Sequence, residues 1–288
     1  MTAFALALVL LAAVLHATWN LCAKRAGGGL PWVWLVGTVI CLLYLPVVTT
    51  YWLWRHPDLS RQQLLWIAGS GGLKTAYALF LQRAYRRGEF SLIYPLARGT
   101  GPLLSTLAAI ALLGERPSPI AIAGGLVIVG AIFVLTGGAS WFARRPPHLL
   151  AAVNAGLVSG VMIASYTIWD QQGVHRLLIP PVLYDAGTAL MVFLLVTPFA
   201  LPRWGEVVHH WRAHRRYVFG MALLSPVAYV LVLTAMSVTP VSYVAPAREV
   251  SIVIGAFIGA RYLKEADARR RLWSAGAMAA GVIALALG

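Results

Sequence analysis

Three positively charged side chains, Lys74, Arg98 and Arg248, stand inside stretches that are otherwise apolar. A charge so placed is costly, because no water is at hand to solvate it. The chemistry it suits is the holding of an anion. A guanidinium fork grips a carboxylate or phosphate through two parallel hydrogen bonds, and an ammonium adds a compact point charge. Arg98 closes the run Tyr94-Pro95-Leu96-Ala97-Arg98, and Ala247-Arg248 repeats its end 150 positions later. After each arginine, small residues fall at every fourth position, at Gly101, Ser105 and Ala109 and again at Ser251, Gly255 and Gly259. Such stripes let helices approach closely. The expectation is a seam between two helices with an arginine at each end. A purely structural reading has the arginines snorkelling to headgroups, or binding carbonyls freed where Pro95, Pro102 and Pro246 interrupt the helices. Their symmetry and the additional Lys74 favour ligand binding.

Further polar and aromatic residues could complete such a site. Lys74 follows Gly69-Ser70-Gly71-Gly72, with Tyr77 one turn along the same face. His16 and Asn20 are one turn apart with Trp19 beside them, and Trp169, Tyr166, Tyr229 and Tyr243 lie in the second half. The candidate substrate-binding residues are therefore Arg98, Arg248, Lys74, Tyr77, Trp19, Trp169, Tyr243, His16 and Asn20. Glu249 reads as the one acidic residue well inside a span, either balancing charge or carrying a coupling proton. Asp170 and Asp185 read as lying nearer a membrane interface, where either could serve a gate. A metal at His209, His210 and His214 is set aside for want of acidic or cysteine partners. Ala68-Gly69-Ser70-Gly71 looks like a nucleophile loop but has no positioned histidine. Neither catalysis, metal nor cofactor is expected.

The elements that position these residues follow from composition. The 288 residues are 60% hydrophobic and 11% charged, with a mean hydropathy of +0.76, too apolar for a soluble domain of this length. The formal charge of +14 is spread through short loops, which argues against nucleic acid as a partner. Cys22 and Cys41 sit in apolar runs and read as packing residues. Ten runs approach the length that spans a bilayer as helix: 3–22, 31–53, 64–83, 91–113, 118–138, 149–169, 180–201, 217–237, 241–262 and 272–288. The first lacks a basic start and a cleavage site and counts as a span.

The ten runs divide into two sets of five. His16-Ala17-Thr18-Trp19-Asn20 corresponds to Tyr166-Thr167-Ile168-Trp169-Asp170 at the same offset of 150, and Gly125 and Gly130 correspond to Gly276 and Gly281. The sequence predicts an all-α integral membrane protein of ten transmembrane helices, arranged as two five-helix repeats, 1–141 and 148–288. An odd number of spans per unit inverts the second copy, an arrangement common in secondary transporters, with the solute site between the halves. On one side fall Lys24, Arg25, Arg83, Arg86, Arg87, Arg144, Arg145, Arg203, Arg212, Arg215, Arg216, Arg261, Lys264, Arg269, Arg270 and Arg271, sixteen residues against Arg55, Arg61, Arg116 and Arg176 on the other. The positive-inside rule then makes the first side cytoplasmic and puts both termini outside. The basic stretch from Pro202 to Arg216 reads as a loop that sets topology and touches anionic lipid.

In its Trp19-Asn20 followed by Lys24, its fourth run ending Leu112-Leu113-Gly114-Glu115-Arg116, its paired glycines in the fifth and its second ending Leu263-Lys264-Glu265, the chain resembles the ten-span EamA-type members of the drug/metabolite transporter superfamily. The resemblance covers essentially the whole chain and is poorly specific for substrate. It implies a central cavity between the repeats and alternating access. It also implies export or exchange of small metabolites such as amino acids and their derivatives, with proton antiport or solute exchange in place of ATP. The expected partners are a small solute, protons and the lipid bilayer, for a monomer in a cell membrane, the inner membrane of a bacterium. Many relatives are drawn with cytoplasmic termini, and the charge count here argues the reverse. The basic core favours carboxylate- or phosphate-bearing solutes, anionic or zwitterionic. A channel or a lipid flippase for anionic solutes is the alternative.

Overall fold

A computed structural model describes residues 1–26, 28–87, 90–135, 149–254 and 268–288, and every regular element among them is helical. In chain order they are α1 (Ala3–Ala26), α2 (Leu30–Arg55), α3 (Arg61–Arg87), α4 (Phe90–Leu113), α5 (Pro119–Leu135), α6 (Leu149–Gln171), α7 (Pro181–Ala200), α8 (Trp204–Val238), α9 (Val241–Arg248) and α10 (Ala268–Leu287). The expected boundary between repeats at 141–148 and the expected landmarks Gly255, Gly259 and Glu265 lie outside the described residues, as does the side chain of Arg98 on α4.

Local chemistry accounts for many helix ends. Pro31 and Pro181 occupy first-turn positions, where a missing N–H costs nothing. α4 stops at Gly114, whose φ of 69° turns the chain out of the helix. Beyond α6 the backbone widens into a π turn, Gln172–Arg176, which carries the helical path past the expected end of the run at 169. α9 is short because Pro246 removes a donor from its last turn. Glu249 sits in the resulting turn, and helix resumes over 250–254. The stretch expected as a loop from Pro202 to Arg216 is instead a 3₁₀ turn, Leu201–Arg203, followed by the first part of α8. Its apolar face explains the difference. Val207 is buried in a cluster with Trp32 and Val36 of α2, and the helix bends at His214 (φ −130°, ψ 17°) before continuing.

Four described stretches are long and apolar enough to cross a membrane: Ala3–Ala23, Leu30–Arg55, Arg61–Leu81 and Pro181–Val238. Apolar helix over Gly99–Leu113, Pro119–Val134 and Trp273–Leu287 is shorter. The chain is a multi-pass membrane protein.

Helix neighbours follow a regular scheme. α1 packs on α8, and α3 packs on α6; α2 packs on α8, and α3 on α7; α4 lies against α6, and α1 against α9. α2 meets α7, α4 meets α9 and α5 meets α10. The α5–α10 contact depends on glycine. A Cβ on Gly124 would stand 2.6 Å from the Gly281 carbonyl oxygen, and one on Gly281 would stand 2.8 Å from that of Gly124. Along the α4 stripe, Ala109 packs with Val241 and Ala245 of α9 as expected of the seam. Gly101 turns elsewhere: a Cβ there would stand 2.9 Å from Ile163 of α6. The expected seam along the whole stripe is corrected, because its small residues admit two partner helices in succession.

Candidate functional site: a charge-paired core

Ser70 and Lys74 are four residues apart on α3, which places them on one face. Opposite them on α6 stands Asp170, fully buried. Lys74 Nζ lies 2.9 Å from Asp170 Oδ2. Ser70 Oγ donates to Asp170 Oδ1 at 2.5 Å, and the Tyr184 hydroxyl of α7 donates to the same oxygen at 2.9 Å. The Tyr229 hydroxyl of α8 donates to Oδ2. The Lys74 ammonium also lies over the Tyr229 ring, 4.2 Å from its centre, and 5.9 Å from that of Tyr166. One carboxylate on α6 thus collects a cation and three hydroxyls from three other helices. A buried ion pair persists only when its remaining lone pairs are satisfied, because each ion otherwise loses several kcal/mol of solvation.

Two further charged groups flank this centre. Asp185 of α7, 8% exposed, accepts the Tyr44 hydroxyl of α2 at 2.6 Å, and the charges of Lys74 and Asp170 act on it through space. At the break after α9, Arg248 Nε lies 3.4 Å from Glu249 Oε1, the two residues being 5% and 1% exposed.

Aromatic packing fixes the α3–α6 contact. Trp66 and Trp169 stack with ring centres 4.1 Å apart and planes 12° from parallel. Each indole N–H donates to the other residue's carbonyl, at 3.0 and 2.8 Å. Gly69 makes room for this stack, since a Cβ there would stand 2.6 Å from Trp169. Gly71 does the same for Met191. The Gly69-Ser70-Gly71-Gly72 run is therefore a continuous part of α3, shaped to accept neighbours.

The structure brings Lys74, Tyr77, Trp169, Arg248 and Glu249 to helices that meet around this core, with Tyr77 5.9 Å from Tyr166. His16 and Trp19 pair edge to face on α1, 4.6 Å apart, with half-buried Asn20 beyond them. Tyr243 is placed differently. Its hydroxyl accepts the Ser118 N–H at 3.3 Å and donates to the Gly288 carbonyl at 3.2 Å, ties that hold the α4–α5 connection and the end of α10. Nearby, Glu115 accepts the N–H groups of Val241 and Ser242 at 2.8 and 2.9 Å, capping α9 with a negative charge.

Asp170 and Asp185 are buried among the helices as Glu249 is. Among the described residues Lys74 and Arg248 each have a carboxylate within 3.4 Å, Asp170 for the lysine and Glu249 for the arginine. Glu206, whose charge acts on His210, is an acidic residue near the three histidines. The repeat held a signal for Asp170, since it occupies the position equivalent to Asn20.

Residues 3–137 match the profile of the EamA-like transporter family. The first half of the chain is thus similar to that family. EamA-like proteins form part of the drug/metabolite transporter superfamily, whose members are membrane transporters. Over its full length the chain is similar to a crystal structure described only as that of a protein, at a TM-score of 0.77 and 19% identity, covering 98% of each chain. At that identity the likeness speaks for the fold alone. No curated protein matches the chain at a significant level.

Proposed function

We propose that this EamA-like protein is a secondary active transporter, an exporter or exchanger of a small zwitterionic metabolite such as an amino acid or a derivative, working by alternating access. The observation that carries the solute class is the pairing of Lys74 with Asp170 and of Arg248 with Glu249. A solute bearing only negative charge would displace carboxylates and leave them unpaired in an apolar medium. A solute with both an ammonium and a carboxylate can take one partner of a pair at each end and leave no orphaned charge. This narrows the anionic or zwitterionic class expected from three cations. Arg98, as the repeat counterpart of Arg248, would belong to the same site.

The architecture we propose is ten spans in two inverted units, 1–141 and 148–288, active as a monomer. Equating α1–α5 with α6–α10 maps the α1–α8 contact onto α6–α3, α2–α8 onto α7–α3 and α4–α6 onto α9–α1, while α2–α7, α4–α9 and α5–α10 map onto themselves. That exchange supports the inverted repeat, with the charge-paired core between the units. The membrane we propose is a bacterial inner membrane, and the distribution of Lys and Arg supports an orientation in it with both termini outside the cytoplasm.

Counterflow into proteoliposomes loaded with unlabelled α-amino acids tests the function, using the radiolabelled acids in turn alongside a dicarboxylate and a sugar phosphate. Saturable counterflow of an amino acid supports the reading. Counterflow of the dicarboxylate or phosphate alone would return the site to anions, and flux linear in concentration would make the protein a channel.

A further inference from the structure

Two buried aspartates share one lysine. Lys74 Nζ is already committed to Asp170 at 2.9 Å, and Asp170 takes three hydroxyl donors besides. Asp185, on the adjacent helix α7, has a single described partner, the Tyr44 hydroxyl on its Oδ2. Among the described residues no cation makes an ion pair with it, although the charges of Lys74 and Asp170 both reach it. A carboxylate left buried without a counterion is costly enough that a group in this position takes up a proton. The acid proton belongs on Oδ1, which leaves Oδ2 to accept from Tyr44. The ionisable groups around Asp185 are Tyr44 from α2, Lys74 from α3, Asp170 from α6 and, bonded to Asp170, Tyr229 from α8.

We propose that Asp185, rather than Glu249, carries the coupling proton of this transporter, and that its ionisation decides which aspartate Lys74 serves. This rests on the carrier reading above. With Asp185 protonated, Lys74 stays on Asp170 and the α3–α6 contact is closed. When Asp185 releases its proton to water, the new carboxylate competes for the same ammonium from α7. Lys74 then leaves Asp170 free to receive the ammonium of a zwitterionic solute. At the two aspartates the charge is unchanged, one proton being exchanged for one solute ammonium, and the solute's carboxylate is left to the Arg248 end of the core. Glu249 has its own cation one residue away and no need of this exchange.

The test has two readouts. Infrared spectroscopy of the wild-type protein in lipid, titrated with pH, should show a buried carboxylic-acid C=O stretch that vanishes in Asp185→Asn and persists in Glu249→Gln. In proteoliposomes given the radiolabelled α-amino acids, Asp185→Asn, which cannot draw Lys74 from Asp170, should lose both counterflow and the accumulation driven by an imposed pH gradient, whereas Glu249→Gln should keep its response to the gradient. A band that survives in Asp185→Asn, or gradient-driven accumulation equal to wild type, overturns the proposal. If Asp185→Asn does not insert, Tyr44→Phe removes only the hydroxyl and must shift the band; an unmoved band is equally fatal. Wild-type protein that transports no amino acid would sink the carrier reading for that class, while the infrared band still decides where the proton resides.

Discussion

Lys74 on α3 and Asp170 on α6 form a 2.9 Å ion pair in which the aspartate is fully buried and also accepts from Ser70, Tyr184 and Tyr229. Removing one partner of such a pair strands the other. Asp170→Leu or Lys74→Met alone should destabilise the protein by about 3–5 kcal/mol, and the double substitution should recover most of that loss. Thermal unfolding in a defined detergent, run as a double-mutant cycle, measures the difference. Additive losses would mean that the two groups are not coupled.

Gly69 lets Trp169 lie against Trp66. The Cβ of Gly69→Ala would stand 2.6 Å from the Trp169 ring. Overpacking of this kind costs about 1–3 kcal/mol and outweighs the gain of ~1 kcal/mol expected from replacing glycine within a helix. The expected outcome is a lower melting temperature and a shifted tryptophan emission. An unchanged melting temperature would mean that α3 and α6 are further apart than described.

Glu115 gives the Gly-Glu ending of α4 a physical role. Gly114 supplies the left-handed turn, and the glutamate crosses to the first N–H groups of α9. Glu115→Ala removes a charge-assisted cap and should cost about 2 kcal/mol, with faster hydrogen exchange at Val241 and Ser242. Exchange at wild-type rates would deny the cap.

Much of this fold is legible in the sequence because apolar runs and their punctuation are local. The fourth run, 91–113, matches α4, and that at 149–169 matches α6 to within two residues at its end. Lys74 is equally legible, as a charge in an apolar run. Asp170 is not: an aspartate at the end of a run looks like an interface residue, and only the π turn and the packing of α3, α7 and α8 enclose it. Tyr243 misleads in the opposite sense, since an aromatic near Arg248 in sequence is carried to the other end of α9 by the rise of the helix. The segment from Trp204 hides its helix behind three arginines and three histidines, because its few apolar residues find α2 only in three dimensions.

The sixteen-to-four distribution of basic residues makes an independent prediction. A phosphatase that is active only outside the cytoplasm, fused after Gly288, should be active. A fluorescent protein that matures only in the cytoplasm should stay dark at the same site. The reverse pattern would invert the proposed topology and exchange the two faces of the core.

The central claim is that the charge-paired core is where solute binds. The most direct measurement is amino-acid counterflow by the Lys74→Met/Asp170→Leu double variant, reconstituted beside wild type once its melting temperature is shown to be restored. Saturable counterflow in wild type and none in the folded double variant is the predicted result. Counterflow at the wild-type rate in a protein lacking both charges would contradict the account.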